Sequence, residues 1–219
     1  MTDCFLHPSF YGPMWPLSLT MEHLEIVHAH NGQPTGEVLP RKEALAREAW
    51  CRSTNVFILN SRGEILCHKR SMQKERLPGA WYTHVGGHIG VGETSDSNAL
   101  KELMEEAGVE VAAGQLVKWR TTKAEAMRLW MHDYVVLIDK PVEAFTPQPG
   151  EVDEFRWVSF DEIISNKENY PDVWYPGYHG FQAEYECIRS ALVAAHHLGA
   201  IDVPEELHGW APGLILMPA

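Results

Sequence analysis

Between Gly86 and Val109 a glycine-rich run, Gly86-Gly-His-Ile-Gly-Val-Gly92, passes directly into a stretch with every signal of an amphipathic helix. Thr94 or Ser95 can cap that helix, Asp96 sits in its first turn, and Gly108 stops it. Leu100, Leu103, Met104 and Ala107 recur at helical spacing and define the side expected to face a core. Glu102, Glu105 and Glu106 are three and four residues apart, so their carboxylates project from neighbouring turns. Two such charges about 5 Å apart repel by about 3 kcal/mol at an effective dielectric of about 20, a load that a divalent cation relieves. Oxygen donors of this kind suit Mg2+ or Mn2+ better than a thiolate-seeking metal.

Three glutamates alone describe a solvated helix face, where like charges at this spacing cost only a few tenths of a kcal/mol. The order of the glycines and acids separates this chain from that case. Gly87 is followed after five residues by Glu93, and after seven more by Lys101-Glu102-Leu103-Met104-Glu105-Glu106-Ala107-Gly108-Val109. Two glycines and four glutamates at fixed positions arise by chance in about two chains of this length per hundred thousand.

Around this centre the sequence alternates strand and helix signals, which predicts an α/β or α+β fold with a mixed sheet between helices. Strands are expected at 22–27, 55–59, 65–70, 81–85, 115–122, 127–138 and 155–158, with 55–59 and 65–70 forming a hairpin across Asn60-Ser-Arg-Gly63. Helices are expected at 41–50, 160–164 and 181–198. The 219 residues read as one domain: an N-terminal arm over 1–21, a core over 22–165, and a helical C-terminal extension over 166–219. The tryptophans read mainly as core residues, one or two of them lining a substrate pocket.

Lys plus Arg total 18 against 30 Asp plus Glu, a net charge of −12 that repels polyphosphate backbones. Nucleic acid and anionic membranes are therefore not expected partners, while a small phosphorylated ligand is compatible once a cation supplies positive charge. The absence of Lys and Arg before Arg41 argues against a secretory leader, and Pro8, Gly12, Pro13 and Pro16 argue against a membrane helix there. Four scattered cysteines, with no Cys-x-x-Cys pair, suit a reducing cytoplasm. An aromatic N-terminal arm could exchange between two copies, so a homodimer is one possible state.

The run Gly87-x5-Glu93-x7-Lys101-Glu102-Leu103-x-Glu105-Glu106-x-Gly108-Val109 resembles the Nudix box, spanning 87–109, with Lys101 where the family has Arg. Weaker resemblance extends over residues 22 to 165. The phrases Asn31-Gly-x-x-x-Gly36, Leu77-Pro-Gly79 and Gly86-Gly-His88 are similar to the branch that holds isopentenyl-diphosphate isomerase and its hydrolase relatives. That isomerase needs a Cys just before its Gly-His pair; Gly86 stands there, and the upstream metal-binding His region reads Trp50-Cys-Arg-Ser53. Hydrolysis is the better-supported chemistry.

The resemblance implies an α/β/α Nudix sandwich and a metal-dependent hydrolase of a small-molecule diphosphate: a nucleoside diphosphate linked to another moiety, or a related organic diphosphate. It implies that the Gly87 carbonyl with Glu102, Glu105 and Glu106 holds Mg2+ or Mn2+, that Glu102 or a partner activates water, and that Glu93 pairs with Lys101 to fix the loop. Lys101 keeps the charge but lacks the planar fork of a guanidinium. Arg70 and, more weakly, Arg52 are candidates for the substrate phosphates, and Glu151 for a further ligand or base. His88 reads as a pocket or loop residue before a metal ligand, because a zinc pair with His84 would need more donors. The alternative to catalysis is a nucleotide sensor, which has no need of a complete acidic set.

Overall fold

The computed structural model describes residues 22–169, 173–174 and 181–197; the arm and the tail beyond residue 197 lie outside the described residues. Its strands are β1 (His23–Val27), β2 (Pro34–Pro40), β3 (Cys51–Leu59), β4 (Ile65–Arg70), β5 (Trp81–Tyr82), β6 (Val117–Ala124), β7 (Leu129–Leu137) and β8 (Val152–Val158). The helices are α1 (Arg41–Ala46), α2 (Ser95–Ala107), α3 (Phe160–Asn169) and α4 (Phe181–His197). A mixed sheet runs β5-β4-β3-β7-β6 with β8 added to β4, and β1-β2 form a separate antiparallel pair. The parallel β3–β7 pair at its centre makes the sheet mixed, as the alternating element order requires.

Alternation along β3 divides the core. Val56 and Ile58 pack with Ala99, Leu103 and Ala107 of α2, while Phe57 and Leu59 pack with Tyr185, Ile188 and Leu192 of α4. Period-two side chains on a strand sandwiched between helices give this two-layer burial. The expected α/β/α sandwich is therefore the observed one.

Several local expectations change. The hairpin of β3 and β4 survives as one rung, Leu59↔Ile65; beyond it β4 turns to pair with β8 and β5. β2 carries no strand signal because prolines bound it and Gly36 interrupts it, a composition tolerated at a sheet edge. α1 stops at Ala46, since Glu48 adopts a left-handed backbone with φ 51 and the Ala49 N–H bonds back to the Ala44 carbonyl. The strand expected at 81–85 is regular only at Trp81–Tyr82. On α2 the buried stripe is Ala99, Leu103 and Ala107, spaced by four, and Met104 lies off it with 37% exposure.

Thr94 is the cap of α2. Its hydroxyl accepts from the Ser97 N–H at 3.1 Å, and the Ser97 hydroxyl accepts from the Thr94 N–H at 3.0 Å. Thr94→Ala is expected to lower unfolding free energy by about 1 kcal/mol in a urea titration. A loss below about 0.3 kcal/mol would show that α2 does not depend on this end for its position.

Candidate active site

The divergence of β4 leaves an edge of β3 open, and the glycine run fills it. Val56 N–H donates to the Val85 carbonyl at 2.8 Å, Thr54 N–H to the Gly87 carbonyl at 2.9 Å, and Ile89 N–H to the Arg52 carbonyl at 2.9 Å. Residues 85–89 are thus stitched antiparallel onto β3. The approach requires glycine: a Cβ on Gly86, at φ +154, would lie 2.1 Å from the Thr54 carbonyl oxygen. One on Gly87 would lie 2.5 Å from Glu102 Oε1.

A polar network locks this turn to α2. The Thr54 hydroxyl donates to Asn98 Oδ1 at 2.5 Å, and Asn98 Nδ2 donates to the His88 carbonyl and to Glu93 Oε2, both at 3.1 Å. Glu93 also accepts from the Gly90 N–H at 2.7 Å and from Lys101 Nζ at 2.8 Å. Burial pushes Glu93 upward, but its Lys101, Gly90 and Asn98 hydrogen bonds and the Lys101 charge outweigh that and hold it below the usual carboxylate range. For Lys101 burial acts downward and Glu93 prevails, so the ammonium stays charged.

The two neighbouring acids behave in the opposite way. Glu102, only 8% exposed, is raised to about 7, first by burial and then by the Glu105, Glu22 and Glu93 charges, with Lys101 opposing. Glu106, whose Oε2 accepts from the Gly86 N–H at 3.2 Å, is raised to about 8 by burial, by Glu102 and by Glu151, against the Gly86 bond and Arg70. Desolvation disfavours each charged form, and the Glu102 carboxylate further disfavours that of Glu106.

The sequence candidates separate accordingly. Gly87, Glu102 and Glu106 come together; Glu105 is exposed on the helix flank, within electrostatic reach of Glu102. Arg70 and Glu151 act electrostatically on Glu106, with Arg70 5.1 Å from the Tyr82 ring centroid and Glu151 paired to Lys74. Arg52 is engaged elsewhere, bonded to Glu25 at 2.7 Å. Asn98 and Thr54 escaped notice in the sequence; the signal was a polar residue four positions before Glu102 and one before buried Ala99. The Glu102 and Glu106 carboxylates against the Gly86-Gly87 turn offer oxygen donors only, which fit a hard divalent cation. Among the described residues, no group of three or more His, Cys, Asp or Glu side chains is drawn together closely enough to hold one as they stand.

A family model described as NUDIX domain matches residues 49–177. The chain belongs to the Nudix family. Nudix hydrolase 3 of Arabidopsis thaliana is 27% identical over 204 residues, covering 87% of this chain but 26% of that protein, so this chain spans about a quarter of that relative's length. An uncharacterised Nudix hydrolase of Pseudomonas aeruginosa is 28% identical over 139 residues, covering 64% of this chain and 80% of its own length. Isopentenyl-diphosphate Delta-isomerase of Corynebacterium glutamicum is 28% identical over 130 residues, covering 56% of this chain and 69% of the isomerase. The Deinococcus radiodurans protein DR0079 shares the fold with a TM-score of 0.59 at 24% identity, over 68% of this chain and 90% of that one. The expected membership of the Nudix family therefore stands. At Gly86, where the resemblance to the isomerase branch implies a Cys, this backbone has no space for a side chain. No described helix is long and apolar enough to cross a membrane.

The raised acids predict a pH dependence. In the folded protein Glu102 and Glu106 hold protons that an unfolded chain, with carboxyls near 4.5, has already released. Their contribution to stability is then lost as pH rises from about 5 to about 8. In chelator the melting temperature is expected to fall by about 5 °C across that window, and the fall is expected to be largely absent only when Glu102→Gln and Glu106→Gln are combined, each alone reducing it. A melting temperature flat between those pH values in the parent protein would show that these carboxyls are not displaced.

Proposed function

We propose that this protein hydrolyses the pyrophosphoryl linkage of an organic diphosphate, namely a nucleoside diphosphate joined to another moiety or a compound related to one. The observation that carries the reading is the packing of buried Glu102 and half-buried Glu106 side by side against the Gly86-Gly87 turn. Held there by these two carboxylates and the Gly87 carbonyl, and by Glu105 once that exposed side chain turns inward, Mg2+ or Mn2+ would supply positive charge against the charge developing on the leaving phosphate.

The chain's own groups do the rest. Glu102, or Glu106 beside it, orients the attacking water and accepts its proton, a role suited to a carboxyl displaced toward neutral pH. The half-buried Arg70 offers a guanidinium fork to the phosphate oxygens, and its position over Tyr82 restricts the side chain before substrate arrives. Glu151, tethered to Lys74, adds a further acid on the same side as Glu106. Glu93, Lys101 and Asn98 keep the glycine turn against α2, so these groups hold their positions through turnover.

A panel of organic diphosphates with Mg2+ or Mn2+, scored for the phosphate products released, tests the reading. Glu102→Gln and Glu106→Gln are each expected to lower kcat by about a hundredfold or more while the protein remains folded. Near-normal rates in both variants on a substrate the parent protein cleaves would remove these residues from the chemistry.

A further inference from the structure

On the face of the sheet turned away from α2, a cavity of about 220 Å3 lies between β5, β8, α3 and residues 173–174. Trp81, Val158 and Trp174 supply its apolar lining, and Arg156, Glu162 and Asn166 its polar lining. The alternation of β8 sets its place. Phe155 packs with the α2 cluster and Val158 with the α4 cluster, and Arg156 shares the Val158 side. Trp81 packs against the same α4 cluster, while its neighbour Tyr82 stacks on His68 with ring centroids 5.5 Å apart and carries Arg70. The cavity and Arg70 are thus back to back across β5, and the hydrolytic chemistry uses none of the cavity's groups.

Two opposite charges line this cavity without meeting. The Arg156 guanidinium lies 5.0 Å from the Trp81 ring centroid and gives its Nε to Glu154 at 2.6 Å, its one ion pair among the described residues. Glu162 accepts from Asn166 Nδ2 at 3.4 Å and forms no ion pair among the described residues. Burial, and after it the Glu162 charge, push the Cys67 thiol up; Cys67 pairs with Arg156 in register, so the Glu162 carboxylate acts across the floor of the cavity. A guanidinium offers five N–H donors and a carboxylate about four acceptor sites, so most of that capacity is unused on both walls. Both side chains are exposed and open to solutes. Between them the Trp81 and Trp174 rings, 6.1 Å apart and 26° from parallel, form an aromatic floor.

We infer that this cavity is a second binding site, and that its ligand is a free α-amino acid with an apolar side chain. The ligand carboxylate meets Arg156, its ammonium meets Glu162 and the Asn166 carboxamide oxygen, and its side chain lies on Trp81, Trp174 and Val158. A simple cation would be repelled by Arg156 and a simple anion by Glu162, whereas a zwitterion is drawn to both walls. Size agrees with this. Pockets for drug-sized ligands begin at about 300 Å3, so a cavity of about 220 Å3 excludes a nucleotide and admits an amino acid. The indoles supply apolar area to the side chain at little cost in conformational freedom.

Calorimetry at pH 7 in chelator, with L-leucine, L-methionine and L-phenylalanine, tests the site without any dependence on turnover. At least one of the three is expected to saturate with a Kd of about 1 mM or below. Its N-acetyl derivative, which lacks the ammonium, and its amide, which lacks the carboxylate, are each expected to bind about tenfold or more weakly. The preference over the N-acetyl derivative is expected to vanish in Glu162→Gln, and the preference over the amide in Arg156→Gln. Both substitutions fall on exposed side chains, so the variants fold, and Glu106→Gln is expected to bind as the parent protein does. No saturation by any of the three up to about 10 mM would overturn the inference. So would derivatives that bind within about twofold of the amino acid, a preference that survives the matching substitution, or binding lost in Glu106→Gln.

Discussion

Partial withdrawal of two adjacent carboxyls from water is the constraint from which the rest of this structure follows. Glu102 and Glu106 lie one helical turn apart, Glu102 buried and Glu106 half-buried, against a turn of backbone. Taking a carboxylate from water costs free energy, and placing a second one beside it costs more. A fold that keeps such a pair needs a compensating positive charge, a retained proton, or both. The glycines are the geometric counterpart of that demand. Side chains at residues 86 and 87 would collide with the Thr54 carbonyl and with Glu102 itself, so the turn can lie between β3 and the acids only without them.

The acidic helix was legible in the sequence because its function is written at fixed spacing, with caps and a glycine stop that act locally. The sandwich was legible for a related reason, since strand and helix periods alternate along the chain. The failures are non-local. The β3–β4 hairpin was read from its turn, but β4 has a better partner in β8, nearly ninety residues away in sequence. That exchange frees the edge onto which residues 85–89 dock, and no local pattern announces it. Met104 was placed on the core face because it fits the helical period; the stripe of Ala99, Leu103 and Ala107 is narrow enough to leave it outside. Glu105 fits the motif yet is exposed, since its position on the helical arc lies to one side of the pair formed by Glu102 and Glu106.

Lysine at position 101 illustrates how a substitution within a motif is absorbed. A guanidinium would offer a two-pronged grip on Glu93, whereas the ammonium makes one contact. The second oxygen of Glu93 is held instead by Asn98 and by the Gly90 backbone, and Asn98 reaches on to Thr54 and the His88 carbonyl. The loop is thus anchored by a network spread over β3, the turn and α2. The same turn pairs with β3 along one edge and packs against Glu102 of α2, so a single backbone segment ties the sheet to the acidic helix.

The most direct test of the acid pair is the proton balance of cation binding. Because Glu102 and Glu106 stand at about 7 and about 8, a divalent ion that engages them must displace protons at neutral pH. Calorimetric titration of Mn2+ into the protein at pH 7, repeated in buffers of different ionisation enthalpy, measures that release. Saturable binding with loss of roughly one proton, abolished in Glu106→Gln, is the predicted result. Binding without proton release, or unchanged binding in that variant, would contradict it.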